Sequence, residues 1–330
     1  MAHFPARRLR RLRVNETLRD MLTEVSLSRN ELIAPLFVRE GGGIYNEIAS
    51  MPGQFQHSVD TAMQTIRRWA DKGLPAVLLF GIPDDKDAVG SGAWDDGAAT
   101  QKLIGLIKND LPNLVVITDV CLCEYTDHGH CGTLRERPDG RTDVDNDATL
   151  ESLAKTAVSH ARAGADIVAP SAMMDGQVAA VRSGLDEAGF DGTSILSYAV
   201  KFASSLYGPF RDAAESSPKT GDRRTYQMDY RATGQSVLEA RLDIDEGADM
   251  IMVKPALAYL DVIAEVRRRF DLPLVAYHVS GEYSMIKAAA AAGWLDERGA
   301  AVEVTTAIKR AGADLIITYF AEQLADWLDA

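Results

Sequence analysis

The sequence predicts an α/β protein, a TIM (β/α)8 barrel with an extended N-terminal arm, and three observations predict it. Eight short runs rich in β-branched and apolar residues are spaced along the chain, as expected of buried parallel strands. Long amphipathic segments separate them, as crossover helices would. One local pattern also recurs: Ala163-Gly164-Ala165-Asp166, Glu246-Gly247-Ala248-Asp249 and Ala311-Gly312-Ala313-Asp314 each precede an apolar run. Each reads as a helix that stops at glycine and feeds a strand.

The strand runs are Leu32 to Val38, Pro75 to Phe80, Leu114 to Asp119, Asp166 to Ala169, Ser194 to Ala199, Asp249 to Val253, Leu274 to His278 and Asp314 to Thr318. Helical periodicity marks Thr61 to Asp71, Leu150 to Ala163, Gln177 to Ala188, Ser236 to Glu246, Tyr259 to Arg269, Tyr283 to Ala292 and Val302 to Ala311. An eight-stranded barrel accommodates a chain of 330 residues. An open doubly wound sheet is the runner-up, but no G-x-G-x-x-G or P-loop follows an early strand. The expected division is an arm over residues 1–30 and a catalytic barrel over 31–330.

Composition narrows the function. Hydrophobic residues at 46% and charged residues at 25% are those of an ordinary globular protein. No apolar run approaches the roughly 18 residues needed to cross a bilayer, and no secretory signal opens the chain, so a cytoplasmic location is expected. A net charge of -13 repels nucleic acid and anionic membranes, which favours a small-molecule ligand. The arm is the exception. Arg7, Arg8, Arg10, Arg11 and Arg13 stand there without an acid among them, which suits docking on an acidic neighbouring subunit.

In a barrel, chemistry gathers beyond the C-terminal strand ends. Those ends run into Asp119 and a cysteine segment, Ser171, Lys201, Lys254, Ser280 and Tyr319. All three cysteines, Cys121, Cys123 and Cys131, fall within eleven residues. In a reducing compartment this favours a soft metal such as zinc over a disulfide. Three protein ligands leave a fourth position open; His128 and His130 are candidates for closing it. Lys201 and Lys254 each emerge from a buried strand, where burial and a neighbouring ammonium favour a neutral, nucleophilic amine. A lysine paired to a carboxylate or snorkelling to the rim is the bland alternative for either alone. The long segment from Ala203 to Gln227 reads as a lid whose Arg211 and Arg223 suit a substrate carboxylate, although arginines on a mobile loop are more often solvated. Ser280 and Tyr319 would anchor a second carboxylate or satisfy strand ends.

The run Cys121-Leu122-Cys123-Glu124-Tyr125-Thr126-Asp127-His128-Gly129-His130-Cys131-Gly132, with Lys201-Phe202-Ala203-Ser204 and Met252-Val253-Lys254-Pro255, resembles the porphobilinogen synthase (5-aminolevulinate dehydratase) family. The resemblance spans essentially the whole chain, from the arginine-rich arm and Ala34-Pro35-Leu36-Phe37-Val38 to Ile317-Thr318-Tyr319. It implies condensation of two 5-aminolevulinate molecules into porphobilinogen with loss of two waters, in tetrapyrrole biosynthesis. Carried over by motif, Lys254 resembles the lysine that forms a Schiff base with the first-bound substrate, and Lys201 the one that holds the second. Cys121, Cys123 and Cys131 match the zinc ligands, and Asp119 an active-site carboxylate. Arg211, Arg223 and Gln227 resemble the grip on one substrate carboxylate, Ser280 and Tyr319 the grip on the other, with Ser171 and Tyr207 as further pocket positions. Glu239 matches a carboxylate that binds an activating magnesium in some bacterial members. The resemblance also implies a homo-octamer built through the arm, although smaller assemblies occur in the family. Asp127 and Ala172 depart from the Ser and Asp that other members often carry. A Schiff-base aldolase with a structural zinc, and a non-enzymatic metal-binding scaffold, are the competing readings.

Overall fold

The computed structural model describes residues 4–328; Met1–His3 of the expected arm and the last two residues lie outside that range. Eight parallel strands form the barrel: β1 (Leu32–Arg39), β2 (Ala76–Ile82), β3 (Val115–Val120), β4 (Ile167–Pro170), β5 (Ser194–Lys201), β6 (Met250–Lys254), β7 (Leu274–His278) and β8 (Leu315–Thr318). Each pairs with the next, and β8 returns to β1 with Leu32 opposite Ile316 and Ile33 opposite Ile317. All eight coincide with the expected runs to within a residue or two. They are legible because a strand covered on both faces has no polar alternation to interrupt it.

The thrice-repeated glycine pattern now has a physical reason. Gly164, Gly247 and Gly312 all take positive φ where their helices end. The aspartate two residues on then caps the preceding strand: Asp166 accepts from Val116 N at 2.8 Å, Asp249 from Ile195 N at 2.7 Å and Asp314 from Leu274 N at 2.8 Å. Three strand pairs (β3–β4, β5–β6 and β7–β8) are thereby clamped at their N-terminal ends, opposite the face where the reactive groups lie. Lys108 and Arg267 bind Asp166 and Asp314 in turn.

The helices wrap the outside, from Val59–Asp71, Ala99–Asp110 and Asn146–Ala163 to Glu297–Ala311 and Ala321–Trp327. Two small hairpins were not anticipated. Tyr45–Glu47 pairs antiparallel with Phe55–Ser58, which also runs beside the end of β1. Leu134–Glu136 pairs with Thr142–Val144 just after the cysteine segment. Within the arm, Leu9–Arg13 forms a 3-10 turn and Glu16–Met21 a short helix capped by Asn15. Leu9, Leu12, Val14 and Met21 are half or more exposed. No described helix is long and apolar enough to cross a membrane.

Replacing Asp249 by alanine strands the Ile195 amide at the foot of β5, and should cost about 1–2 kcal/mol. Urea denaturation checks this: the midpoint falls for Asp249→Ala and stays in place for Glu151→Ala, which breaks the exposed Glu151–Lys155 pair.

Candidate active site

β5 and β6 end in lysine at the same level. Lys201 and Lys254 are register partners on adjacent strands, only 5% and 6% exposed. The Lys254 Nζ sits 4.3 Å from the Tyr277 ring centre, 5.0 Å from Tyr198, and 5.2 Å from both Tyr207 and Phe210. Lys201 shares the Tyr198 ring at 5.4 Å, and its Nζ donates to the Ser171 carbonyl. Four aromatic rings therefore line the space around one amine. They attract a cation weakly, but desolvation opposes charge more strongly. Burial first, and the Lys201 charge second, push Lys254 down to about 7. Near neutral pH a large share of this amine is uncharged.

β3 delivers the second component. Backbone bonds from Tyr125 and Thr126 to the Leu122 carbonyl, at 2.9 and 2.8 Å, turn the chain just past Cys121 and Cys123. Thr126 Oγ1 then donates to the His130 carbonyl at 2.8 Å, returning Cys131 to the first two thiols. The three Sγ atoms lie within 4.8 Å of one another, all buried and none in a disulfide. The Cys121 and Cys123 sulfurs are 3.4 Å apart. Hydrogen bonding to Cys123 and Cys131 raises the Cys121 thiol well above its ordinary value, and the same network holds Cys131 well below. Such a set of soft donors fits a tetrahedral zinc with one position to spare.

His128 and His130 do not close that position. His128 Nε2 lies 3.2 Å from the Ala88 carbonyl, while its Nδ1 accepts from His130 N at 3.1 Å. His130 meets the Thr220 carbonyl at 2.8 Å through Nε2 and the Tyr226 hydroxyl at 3.1 Å through Nδ1. Both rings are engaged in fastening segments over the site. Gly129 between them has φ +73°, and a Cβ there would lie 2.4 Å from the Ser217 carbonyl oxygen, so only glycine permits this approach.

The Ala203–Gln227 segment is more ordered than a lid read from composition. It contains the 3-10 turn Ser205–Tyr207 and the helix Gly208–Ala213. Arg223 is 5% exposed rather than solvated, and donates to the carbonyls of Gly129 at 2.9 Å and Ser216 at 2.6 Å. Its Nε, the Arg211 Nε and both polar atoms of the Gln227 amide are buried without a partner. Unpartnered donors of this kind mark a place for a ligand. Burial and the Arg223 charge lower the half-buried Arg211.

Other expected residues are already partnered. Ser280 Oγ accepts from Phe210 N at 3.0 Å, Tyr207 OH donates to the Lys254 carbonyl at 3.2 Å, and the Tyr319 hydroxyl lies 3.0 Å from that of Tyr277. Ser171 touches Lys201 through its carbonyl, not its hydroxyl. Asp119 is partly buried, with its Oδ1 buried and unpartnered; desolvation and the nearby Glu124 raise it to about 7. Glu239 stands elsewhere, in a cavity of about 100 Å³ lined also by Asp175, Asp243 and Glu246 and by none of the lysines or cysteines. It is half-buried, not an exposed helix glutamate, and burial, then Asp175 and Glu246, raise it. Sequence reasoning missed Tyr198, Tyr277 and Glu124. Strict alternation places Tyr198, three residues before Lys201, on the opposite face of the strand; the irregular register between β5 and β6 at this point is what brings its ring beside both lysines, and no sequence pattern marks it.

A sequence model described as delta-aminolevulinic acid dehydratase matches residues 6–327. The chain belongs to the delta-aminolevulinic acid dehydratase family. The enzyme of that name from Synechococcus elongatus is 54% identical over 325 residues, covering 98% of this chain and 99% of its own. That from Archaeoglobus fulgidus is 54% identical over 328 residues, 99% of this chain and 100% of its own. Among solved structures, the dehydratase of Toxoplasma gondii ME49, in complex with the reaction product porphobilinogen, superimposes with a TM-score of 0.94 at 42% identity, covering 98% and 92% of the two chains. The cysteine triad is consistent with the zinc site of the delta-aminolevulinic acid dehydratases.

Because His130 fastens the covering segment, His130→Ala should raise amide exchange and proteolysis across residues 216–226 by about thirtyfold, since two hydrogen bonds of roughly 1 kcal/mol each are lost. Zinc affinity should change by less than about threefold; hydrogen-exchange mass spectrometry and a chelator competition read the two effects.

Proposed function

We propose that this chain forms porphobilinogen from two molecules of 5-aminolevulinate by Schiff-base chemistry on a lysine pair, as a step of tetrapyrrole biosynthesis. The observation that carries the reading is two buried amines at paired strand ends over one tyrosine ring, beside three convergent thiols.

The neutral Lys254 Nζ attacks the keto carbon of the first substrate, and the adduct loses one water to become the Schiff base. Lys201 holds the second substrate in the same way or by charge. Two covalently or ionically fixed keto acids react as if at very high concentration, which removes much of the entropic barrier to condensation. Arg211, Arg223 and Gln227 grip one carboxylate with donors that are otherwise idle, while Ser280 and Tyr319 receive the other. Asp119 orients a substrate amino group, and Ser171 and Tyr207 shape the pocket. Cys121, Cys123 and Cys131 would hold the zinc, which would supply Lewis acidity when bound.

The arm, residues 1–30, serves oligomerisation, toward a homo-octamer: its exposed leucines and arginines suit an acidic, partly apolar face on a second copy. Magnesium at Glu239 is the matching proposal for an activating cation. Free thiols suit the reducing cytoplasm.

Treatment with borohydride in the presence of 5-aminolevulinate should add one reduced substrate to Lys254, seen by peptide mass. Lys254→Ala should lose the Lys254 adduct and product formation, and a wild-type protein that carries no reduced adduct on either lysine sinks the reading. A thiol-competent chelator should abolish product formation, with recovery on adding zinc. The acid limb has a fixed sign. Below about pH 7 Lys254 carries its proton, so kcat/KM should fall about tenfold per unit as pH drops, and level off above.

A further inference from the structure

Glu282 lies in the first turn of the helix Ser280–Ala291, two residues past Ser280, and is fully buried. Its Oε2 accepts from the Val279 amide at 2.8 Å, in the turn that delivers Ser280 from the end of β7. Its Oε1 accepts from the Leu257 amide at 2.7 Å, three residues past Lys254 at the end of β6. One carboxylate therefore ties the root of the nucleophile to the root of Ser280. Burial raises its carboxyl to about 7, while the amides of Val279, Leu257, Ala258 and Ala256 pull the other way. A cap alone does not call for so costly a burial, because exposed Asn15 and Asp296 cap other helices of this chain.

Both ends of this clasp face the same space. Ser280 Oγ accepts from the amide of Phe210, whose ring lies 5.2 Å from the Lys254 Nζ. The Tyr319 hydroxyl lies 3.0 Å from that of Tyr277, whose ring centre is 4.3 Å from the same Nζ. The Ser280–Tyr319 grip is thus the one beside Lys254. Its helix cannot slide freely, since a Cβ at Gly281 would lie 2.5 Å from the Leu206 carbonyl oxygen. In 5-aminolevulinate the keto carbon stands two methylene groups from the carboxylate, so an amine and a carboxylate grip fixed relative to each other measure that length. A misplacement of about 1 Å at such a site costs roughly a hundredfold.

We infer that Glu282 is a positioning residue that sets chain-length specificity: it holds the Lys254 amine at the distance from the Ser280–Tyr319 grip that suits a 4-oxo acid. The inference rests on the Schiff-base reading above. Glu282 touches no reacting atom and acts through the two loops it joins. A glutamine there has one acceptor oxygen in place of two and sets its NH2 against a backbone N–H, so the clasp opens. An aspartate keeps the charge but falls one methylene short of spanning both amides.

The test is borohydride trapping on Lys254 of the full-length, zinc-loaded protein, read by peptide mass, at about pH 8, where Glu282 is ionised. The probes are 4-oxopentanoate, which is the substrate without its amino group, and 5-oxohexanoate, one methylene longer. The wild type should trap the 4-oxo acid at a concentration about tenfold or more below that for the 5-oxo acid. In Glu282→Gln the half-saturating 4-oxopentanoate concentration should rise about tenfold, that of 5-oxohexanoate should change less than about threefold, and the preference should collapse. The Lys254 titration midpoint, read by trace acylation, should move by less than about half a unit, because the role is spatial. Glu282→Asp should also lose the preference, whereas a role in capping or charge alone would be rescued by it; it carries the same readouts if the glutamine variant does not fold. An unchanged preference in either folded variant, or equal weakening of both acids, overturns the inference, whatever happens to the urea midpoint. The wild type separates this claim from its foundation: adducts with both acids at similar concentrations overturn the chain-length role alone, whereas no adduct with either overturns the Schiff-base reading and the inference with it.

Discussion

Two ammonium groups cannot both stay charged in one small, dry space, and the pairing of Lys201 with Lys254 puts that conflict at the centre of the barrel. The two residues occupy partnered positions on neighbouring strands, so their separation is set by the sheet rather than by flexible side chains. Tyr198, Tyr207, Phe210 and Tyr277 exclude water from Lys254. The outcome is an amine neutral enough to attack a ketone and a neighbour able to hold a second keto acid. Burial supplies most of the effect and the second lysine the rest. Neither would suffice to place two substrates against each other.

The remainder of the molecule maintains that arrangement from outside. At the far end of the strands, Asp166, Asp249 and Asp314 tie neighbours together in pairs, which holds the register that aligns the lysines. At the reactive end, a tight turn after β3 gathers three thiols, and His128 and His130 fasten the covering segments down onto them. Arg223 ties the cysteine turn to the lid through the Gly129 and Ser216 carbonyls while keeping its Nε unpartnered. One guanidinium therefore links the cysteine loop to the segment that covers it. The cavity around Glu239 is a separate acidic site on the flank.

Most of the fold was legible in the sequence, because buried parallel strands are written as continuous apolar runs and the Gly-Ala-Asp echo marks where three of them begin. The hairpin strands Tyr45–Glu47 and Leu134–Glu136 were not. They are three residues long and largely exposed, and such short segments carry no hydrophobic period. The cysteine cluster and the two strand-end lysines stood out by composition alone. Position alone offered Arg211, Ser280 and Tyr319 as carboxylate anchors beside an equally good bland reading, and Gln227 came from family resemblance only, since a polar residue in a loop is ordinary until its partners are known. What no local pattern held was long-range: that Arg223 is buried against Gly129, that His130 reaches Thr220 and Tyr226, and that Glu124 has an oxygen with nothing to bind. Each depends on contacts between segments some ninety residues apart, or on the absence of one.

The central claim is that Lys254 is a largely neutral amine near pH 7, and its own titration tests this most directly. Trace acylation of the native protein across pH, read at the Lys254 peptide by mass spectrometry, reports the free-amine fraction without requiring turnover. The account predicts a midpoint near 7 in the wild type and a higher one in Lys201→Met, where the second charge is gone. A midpoint in the usual lysine range near 10, unchanged by the loss of Lys201, would contradict it.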